Sequence, residues 1–223
     1  ERLALAVAGT QDGIWDCNLI DNSLYLSPRW KEILGYADAE IPSNFSTFED
    51  NLHPGEKSGG MDNLRKYLNG EIDQYCTQYR MKHRNGSYRW ILSRGAGVRD
   101  KEGKICRMAG SHTDITDRKM EEERSRIFAQ IVEQSPATVV VTNLDGTIEY
   151  ANPKFAETTG YSPADARGLN PRILKSGQMD PDGYKKMWDE LKQGREWRGE
   201  FHNRRKDGTY YWESALIAPV RAE

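Results

Sequence analysis

Residues 110–127 read GSHTDITDRKMEEERSRI, and this stretch divides the chain into two parts. Its first residues alternate between small or β-branched and polar side chains, as at the end of a strand. From Asp117 onward nearly every residue is charged and strong helix formers dominate, which predicts a helix. Asp114, Thr116 and Asp117 are each candidate N-caps for it.

Apolar residues recur along this predicted helix at Met120, Ile127, Phe128, Ile131 and Val132. They form a narrow stripe on an otherwise polar helix. Two interpretations stay open. The helix is either a solvated linker or a connector that transmits a movement between two modules and pairs with its copy in a dimer.

The chain has 223 residues, enough for two domains of about 110 residues each. With 37% apolar and 30% charged residues it is typical of a soluble globular protein, and no apolar run approaches the length of a transmembrane helix. The net charge of −2 argues against a nucleic-acid or anionic-membrane partner. The chain begins inside a helix-like run without a signal peptide, so we interpret it as a fragment.

Three cysteines, Cys17, Cys76 and Cys106, form no C-x-x-C pair. An odd number of widely spaced cysteines argues against a disulfide framework and favours a reducing compartment. We therefore expect a cytoplasmic location.

The two halves of the chain repeat one pattern. Residues 27–36 (SPRWKEILGY) match residues 152–161 (NPKFAETTGY), and residues 84–90 (RNGSYRW) match residues 206–212 (KDGTYYW). Self-similarity over most of the chain indicates two copies of one structural unit.

Each copy predicts two short strands, a helix capped by Ser27 or Asn152 with proline in its first turn, further helices, and a long hairpin. The first copy adds a last strand over residues 104–115. The second copy stops before the counterpart of that strand, and we expect an open sheet edge there.

The predicted fold class is therefore α+β. Each of the two modules is a five-stranded antiparallel sheet with helices on one face, the last strand of the second is absent, and a helix joins them. We place the first module at residues 1–116, the connector helix at 117–134 and the second module at 135–223.

Both copies resemble PAS domains, over nearly the whole chain. The resemblance is carried by the N/S-P-x-F/W stretch that leads to Gly-Tyr, by the N/D-G-x-Y-x-W hairpin, and by residues 114–119 (DITDRK), which are similar to the signature where a PAS sheet passes into its output helix. The first copy looks like the bacterial type that carries His53-Pro54. The second is most similar to flavin-binding, redox-sensing PAS domains of bacterial nitrogen-fixation and methane-oxidation regulators, notably at residues 170–177, 197–200 and 203–208.

Residues 168–175 (GLNPRILK) keep the skeleton of the flavin motif of light-oxygen-voltage domains. Pro171 replaces the cysteine that bonds to the flavin in those domains, and a pyrrolidine has no nucleophile, so that photochemistry is excluded. The resemblance implies that Asn170 faces the ribityl chain and that Arg172 binds the phosphate of FAD. The alternative is that both are turn and surface residues.

The resemblance further implies that Asn203 and Glu213 bind the polar edge of the flavin ring and that Trp197 lines its pocket. Glu213 departs from the asparagine of the light sensors, and its carboxylate would respond to a change of charge on the ring. The alternatives are an outward-facing strand residue for Glu213 and an ordinary packing aromatic for Trp197.

Haem is disfavoured as the cofactor. It would need an axial ligand in the pocket helix, and residues 180–193 contain no histidine. By strand alternation His202 points away from the face of Asn203, and His53 resembles a structural helix-start residue.

The first copy carries no flavin motif. Its tryptophans, Trp15, Trp30 and Trp90, either pack a solid core without a ligand or line a cavity for a small organic molecule. Neither copy shows metal-ligand spacing, a phosphate-binding loop or a nucleophile triad.

The sequence thus predicts tandem PAS sensory modules, the second with FAD as a redox sensor. We expect a homodimer through the modules and the connector helix, and an output domain in the same chain outside these residues, such as a histidine kinase or a cyclic-di-GMP enzyme. We expect neither a nucleic-acid partner nor membrane contact by this segment. The alternative is an unliganded PAS pair that acts as a dimerisation or protein-interaction module. A flavoenzyme is disfavoured because no acid–base constellation is present.

Overall fold

The protein divides into two compact units, residues 1–124 and residues 125–223. The structure is a computed structural model that describes residue 9, residues 11–178 and residues 181–220. A single helix, which we call the connector helix, runs from Thr116 to Glu133 and ends in the second unit.

Between residues 11 and 115 the first unit has three α-helices and five strands in the predicted order. The helices are α1 (Pro28–Ile33), α2 (Phe45–Asn51) and α3 (Lys57–Leu68), with a short 3-10 helix at Pro54–Glu56. The strands are β1 (Gly13–Asn18), β2 (Ser23–Leu26), β3 (Tyr75–Lys82), β4 (Tyr88–Arg99) and β5 (Ile105–Asp114).

The five strands form one antiparallel sheet in the order β2-β1-β5-β4-β3. The last strand in sequence, β5, is therefore the central strand of the sheet. It pairs with β1 on one side and with β4 on the other. The chain leaves the middle of the sheet to enter the connector helix.

The described residues of the second unit form four strands and, after the connector helix, four further helices. Its strands are β6 (Val140–Thr142), β7 (Ile148–Ala151), β8 (Trp197–Arg204) and β9 (Tyr210–Ile217). Its helices are α4 (Pro153–Thr159), α5 (Pro163–Ala166), a 3-10 helix (Pro171–Leu174) and α6 (Pro181–Lys192). Its core consists of Ile148, Ala151, Phe155, Ala166 and Leu174.

The described strands of the second unit form two separate two-stranded sheets, β6–β7 and β8–β9. The α+β fold class is confirmed. The described strands of the second unit include no counterpart of β5, the central strand of the first sheet, so its two hairpins have no strand in common.

Both predicted helix caps are confirmed. Ser27 Oγ accepts a hydrogen bond from the Trp30 N–H at 3.2 Å, and Asn152 Oδ1 accepts one from the Phe155 N–H at 3.1 Å. Proline follows each cap in the first turn, where its missing N–H costs no helical hydrogen bond.

The tryptophans of the first unit do not share one core. Trp15 and Trp30 are buried, whereas Trp90 is half-buried and lies close to two cations. The Arg80 guanidinium is 5.4 Å and the Lys119 ammonium 5.6 Å from its ring centroid. The interpretation of three core tryptophans is therefore wrong for Trp90, which helps to hold the first turn of the connector helix.

A buried histidine, His112 on β5, was not anticipated from the sequence. Its Nδ1 accepts from Trp30 Nε1 at 2.6 Å, and its Nε2 lies 2.7 Å from the Tyr79 hydroxyl oxygen. Because an indole N–H can only donate, Nδ1 carries no proton and Nε2–H donates to Tyr79. Complete burial lowers the pKa of His112 to about 3, so the imidazole is neutral.

The connector helix begins with two side-chain hydrogen bonds. Asp114 Oδ1 accepts from the Thr116 N–H at 2.9 Å, and Thr116 Oγ1 accepts from the Trp90 N–H at 2.9 Å. Farther along, its apolar stripe is exposed to solvent. The exposed fraction is 58% at Met120, 45% at Ile127 and 59% at Ile131.

Candidate functional site

Strand alternation decides which side chains of the β8–β9 hairpin lie together. Trp197, Phe201 and Asn203 are spaced by even numbers and share one face of β8. Phe201 pairs directly with Glu213, and Asn203 pairs with Tyr211. Because directly paired residues point to the same side of a sheet, all five side chains lie on one face. We call it the inner face of the hairpin.

One end of the inner face is polar. Asn203 is buried, and its Nδ2 donates to Glu213 Oε2 at 3.0 Å. Burial raises the pKa of Glu213, and the hydrogen bond from Asn203 opposes this shift by stabilising the carboxylate. The carboxyl group is therefore easier to protonate than an exposed glutamate.

Tyr211 extends the polar end. Burial raises the pKa of its phenol to about 12, so the hydroxyl keeps its proton. The hydroxyl oxygen is buried without a hydrogen-bond partner among the described residues. The Arg205 guanidinium lies 4.6 Å from the Tyr211 ring centroid and fixes the ring from one side. A buried donor without an acceptor is costly unless a ligand or water satisfies it.

The other end of the inner face is aromatic. The Trp197 and Phe201 ring centroids are 5.0 Å apart, and Tyr184 of α6 stacks on Phe201 at 6.0 Å. The Lys175 ammonium lies 3.8 Å from the Tyr184 ring centroid. The Trp197 indole covers Gly199, where a Cβ would overlap it, so glycine permits this ring position.

Sequence reasoning missed Phe201, Tyr184 and Lys175 as residues of this face. The period of two between Trp197 and Asn203 was a signal for Phe201. Tyr184 and Lys175 reach the face through tertiary packing, for which the sequence holds no local pattern.

Asn170 and Arg172 make different contacts. Asn170 caps the 3-10 helix, and its Oδ1 accepts from both the backbone N–H and Nε of Arg172 at 3.1 Å. Its Nδ2 would lie 2.8 Å from a Cβ built on Gly146, so the cap rests against the β6–β7 turn. Among the described residues, no hydrogen bond or ion pair joins Asn170 or Arg172 to Trp197, Asn203 or Glu213. Their observed contacts are those of a local cap, and the backbone of nearby Lys175 forms a bridge to Asn203.

The sequence matches known families in both units. Residues 23–112 match the family described as "PAS fold", and residues 136–223 match the family described as "PAS domain". The chain belongs to the PAS family. It carries two PAS domains in tandem, which are sensory domains.

Several relatives of these PAS domains belong to bacterial sensors and regulators. A nitrogen fixation regulatory protein of Klebsiella oxytoca is 40% identical over 94 residues, covering 42% of this chain and 19% of that protein. The aerotaxis receptor of Escherichia coli is 33% identical over 82 residues, covering 37% and 16% of the two chains. Each alignment thus covers a small part of a longer curated relative.

Among solved structures, a sensory box histidine kinase/response regulator from Burkholderia thailandensis is 37% identical, with a TM-score of 0.52. The match covers 58% of this chain and 96% of that one. It supports the PAS fold of this protein.

The opposite face of the β8–β9 hairpin, which we call its outer face, carries His202. Its ring stacks on Tyr210 at 5.3 Å and packs against Trp212 at 4.8 Å between centroids. His202 therefore points away from Asn203, as alternation predicted. Elsewhere, His53 Nδ1 accepts from the Gly55 N–H at 3.0 Å, which is the structural role expected of it.

Among the described residues, no group of three or more histidine, cysteine or acidic side chains is placed to hold a metal ion. No helix in the same part of the chain combines the length and apolar character needed to cross a membrane. The three cysteines are free thiols.

The inner face fits a planar, partly polar ring. Three aromatic side chains offer an apolar surface, and Asn203, Glu213 and the unpartnered Tyr211 hydroxyl offer donors and acceptors on the same face. The isoalloxazine ring of a flavin has this division between an apolar body and a polar edge with donors and acceptors. The residues present are therefore chemically suited to a flavin.

Proposed function

We propose that the second PAS domain binds a flavin, FAD, as a redox sensor. The tandem pair would relay its state through the connector helix to an output domain, such as a histidine kinase or a cyclic-di-GMP enzyme, in a longer protein. The observation that carries the proposal is the inner face of β8–β9, where Trp197 packs on Phe201 and Phe201 lies opposite Glu213 of the Asn203–Glu213 pair. The resemblance of residues 170–177, 197–200 and 203–208 to redox-sensing PAS domains supports it.

When bound, the flavin would supply reversible electron transfer, and Glu213 would hold the responsive proton. Its pKa is already raised by burial, so a modest change of charge nearby moves it further. As a carboxylate, Glu213 Oε2 accepts from Asn203 Nδ2. A protonated Glu213 becomes a donor, and Asn203 then pairs best by turning its Oδ1 toward it. The amide of a buried strand residue would thus report the state of the ring.

Asn170 and Arg172 complete the proposed site at its outer end. The Arg172 side chain is exposed, and among the described contacts only its Nε is engaged, by Asn170. Its two terminal nitrogens would be available for phosphate oxygens, which a guanidinium fork binds well. We propose that Asn170 orients this fork in addition to capping its helix.

We propose the functional division made from the sequence, with sensory modules at residues 1–116 and 135–223 and the connector at 117–134. A homodimer through the connector is the second part of the proposal. Its support is the exposed apolar stripe of Met120, Ile127 and Ile131, because an exposed stripe at this spacing is suited to the same stripe of a second copy.

The test is FAD retention by the purified protein, followed by flavin absorption. The measurement uses a chain that extends past residue 223, because β4, the counterpart of β9, pairs with a central strand in the first unit. Asn203→Ala removes one or two hydrogen bonds to the ring and should weaken FAD binding about five- to thirtyfold. Trp197→Ala should weaken it more, because it removes a large apolar contact.

Trp212→Ala is the matched control. Trp212 lies on the same hairpin but on the outer face, with 71% of its surface exposed. We expect parent-like FAD binding in this variant. Equal retention in all three variants would place the flavin elsewhere.

The alternative function is an unliganded dimerisation or protein-interaction module, which the exposed connector stripe alone would support. A colourless protein that stays colourless after FAD addition, yet sediments as a dimer, would favour this alternative.

A further inference from the structure

Asn152 at the start of α4 uses its whole hydrogen-bonding capacity. Its side chain is 0% exposed. Oδ1 accepts from the Phe155 N–H at 3.1 Å and from the Val139 N–H at 3.0 Å. Nδ2 donates to the Val132 carbonyl at 3.1 Å and to the Ala137 carbonyl at 3.0 Å. A primary amide offers two N–H donors and one oxygen with two lone pairs, so no capacity is left over.

The accepted and the donated bonds serve different segments. The accepted bonds cap α4 and hold the start of β6. One donated bond reaches the Val132 carbonyl in the last turn of the connector helix, and this carbonyl also accepts from the Ser135 N–H at 3.3 Å. The other reaches Ala137, between the connector and β6. Asn152 therefore joins the connector end, the loop after it and the first helix of the second PAS domain.

The first PAS domain provides an internal comparison, because Ser27 occupies the matching position. Ser27 Oγ accepts from the Trp30 N–H at 3.2 Å and from the Ile14 N–H at 2.9 Å. These are the counterparts of the two bonds that Asn152 accepts. A hydroxyl can accept both, but it cannot reproduce the two donors of an amide. A serine is therefore sufficient to cap this helix. The two bonds that Asn152 donates are not needed for capping.

We propose that Asn152 is a positioning residue that fixes the end of the connector helix to the first helix of the second PAS domain. A displacement of the last connector turn then displaces the start of α4, and a displacement of α4 displaces the last connector turn. The proposal rests on the hydrogen bonds of the chain itself and does not depend on flavin binding.

A second contact lies beside this joint. The Tyr150 hydroxyl donates to Glu133 Oε1, on the last residue of the connector, at 2.7 Å. Both side chains are at the surface, where water competes for such bonds. Tyr150 is therefore a suitable control, because its hydrogen bond reaches the same end of the connector but is not buried.

The experiment is amide hydrogen exchange, resolved by residue, in the parent and in Asn152→Ser. Serine keeps both acceptor bonds, as Ser27 does in the first domain, and loses the donated ones. We expect the amides of Gln134 and Ser135 at the connector end to exchange about tenfold faster, because two buried bonds are removed. The amides of Val139 and Phe155 should keep parent-like protection.

Two further variants separate the possibilities. Asn152→Ala should also release Val139 and Phe155, because it removes the cap. Tyr150→Phe should change exchange at Gln134 less than twofold. Parent-like exchange at Gln134 and Ser135 in the serine variant would overturn the proposal, since Asn152 would then be a cap only.

If the serine variant does not fold, Asn152→Asp decides. The carboxylate keeps the shape and both acceptor positions but cannot donate. Faster exchange confined to Gln134 and Ser135 in this variant supports the joint, and parent-like exchange there overturns it.

Discussion

Neutral His112 should make the first PAS domain lose stability in mild acid. The imidazole is completely buried, and burial lowers its pKa from 6.5 to about 3. The unfolded chain therefore binds a proton as the pH falls below 6.5, while the folded domain does not until about pH 3. The free energy of unfolding is thus highest above pH 6.5 and falls between pH 6.5 and 3. Between pH 7.5 and pH 5.0 this single group costs about 2 kcal/mol of stability.

Replacing the imidazole by a group that does not titrate isolates this cost. His112→Gln should destabilise the domain at every pH by about 1–3 kcal/mol, because a flexible amide replaces a ring that packs against Trp30 and Tyr79. The difference between its stability at pH 7.5 and at pH 5.0 should nevertheless be about 2 kcal/mol smaller than in the parent, since the remaining groups titrate alike in both proteins.

The assay is urea unfolding at the two pH values, followed through amide NMR signals of the first unit so that the second unit does not contribute. Imidazole nitrogen shifts report the protonation state directly and should show Nε2–H with a bare Nδ1 from pH 8 to pH 5. An identical pH dependence in parent and variant, or an imidazole that gains its second proton near pH 6.5, would refute the reasoning.

Four further outcomes are expected. Gly110→Ala should destabilise the first domain by more than about 2 kcal/mol, measured by urea unfolding, because a Cβ there would overlap a backbone carbonyl oxygen and lie 2.5 Å from a tryptophan ring carbon. Gly59→Ala, in helix α3 with open space around it, should instead stabilise by about 0.5–1 kcal/mol. Ile127→Asp should shift sedimentation toward the monomer, whereas Ala129→Asp on the opposite face of the connector should not. Equal dimerisation of both variants would show that the connector does not form the dimer contact. Illumination of the FAD-loaded protein should leave no bleached spectrum that recovers over seconds to minutes, because Pro171 has no nucleophile; such a spectrum without added reductant would contradict this.

Local patterns predicted the elements of both domains well. Asn-Gly and Asp-Gly turns indicated the two long hairpins, and the side-chain caps at Ser27 and Asn152 indicated the starts of two helices. Each of these features depends on residues within a few positions of one another. Local sequence is therefore sufficient to predict these hairpins and helix starts.

Features that depend on distant residues were not predictable in the same way. His112 forms its bonds with Trp30 and Tyr79, which reach it from α1 and β3 only after the sheet has formed. The central place of β5 is a property of sheet order, and strand periodicity does not reveal which strands are neighbours. For the same reason the sequence could not show that Trp90 lies outside the core.

The residues of the candidate site include both locally determined positions and positions that depend on tertiary packing. Trp197, Asn203 and Glu213 lie on one hairpin. Its turn sets the register and alternation sets the face, so local rules are sufficient to place them on one face. Asn170 and Arg172 lie on a short helix whose position depends on how the β6–β7 turn and β8 pack around it. Because Asn170 also caps that helix, a substitution there changes the loop as well as any ligand contact. Binding losses at Asn203 and Trp197 therefore test the flavin proposal more directly than losses at Asn170. A substitution of Asn170 displaces the loop, and this alone would weaken the affinity even if the side chain never touched the ligand.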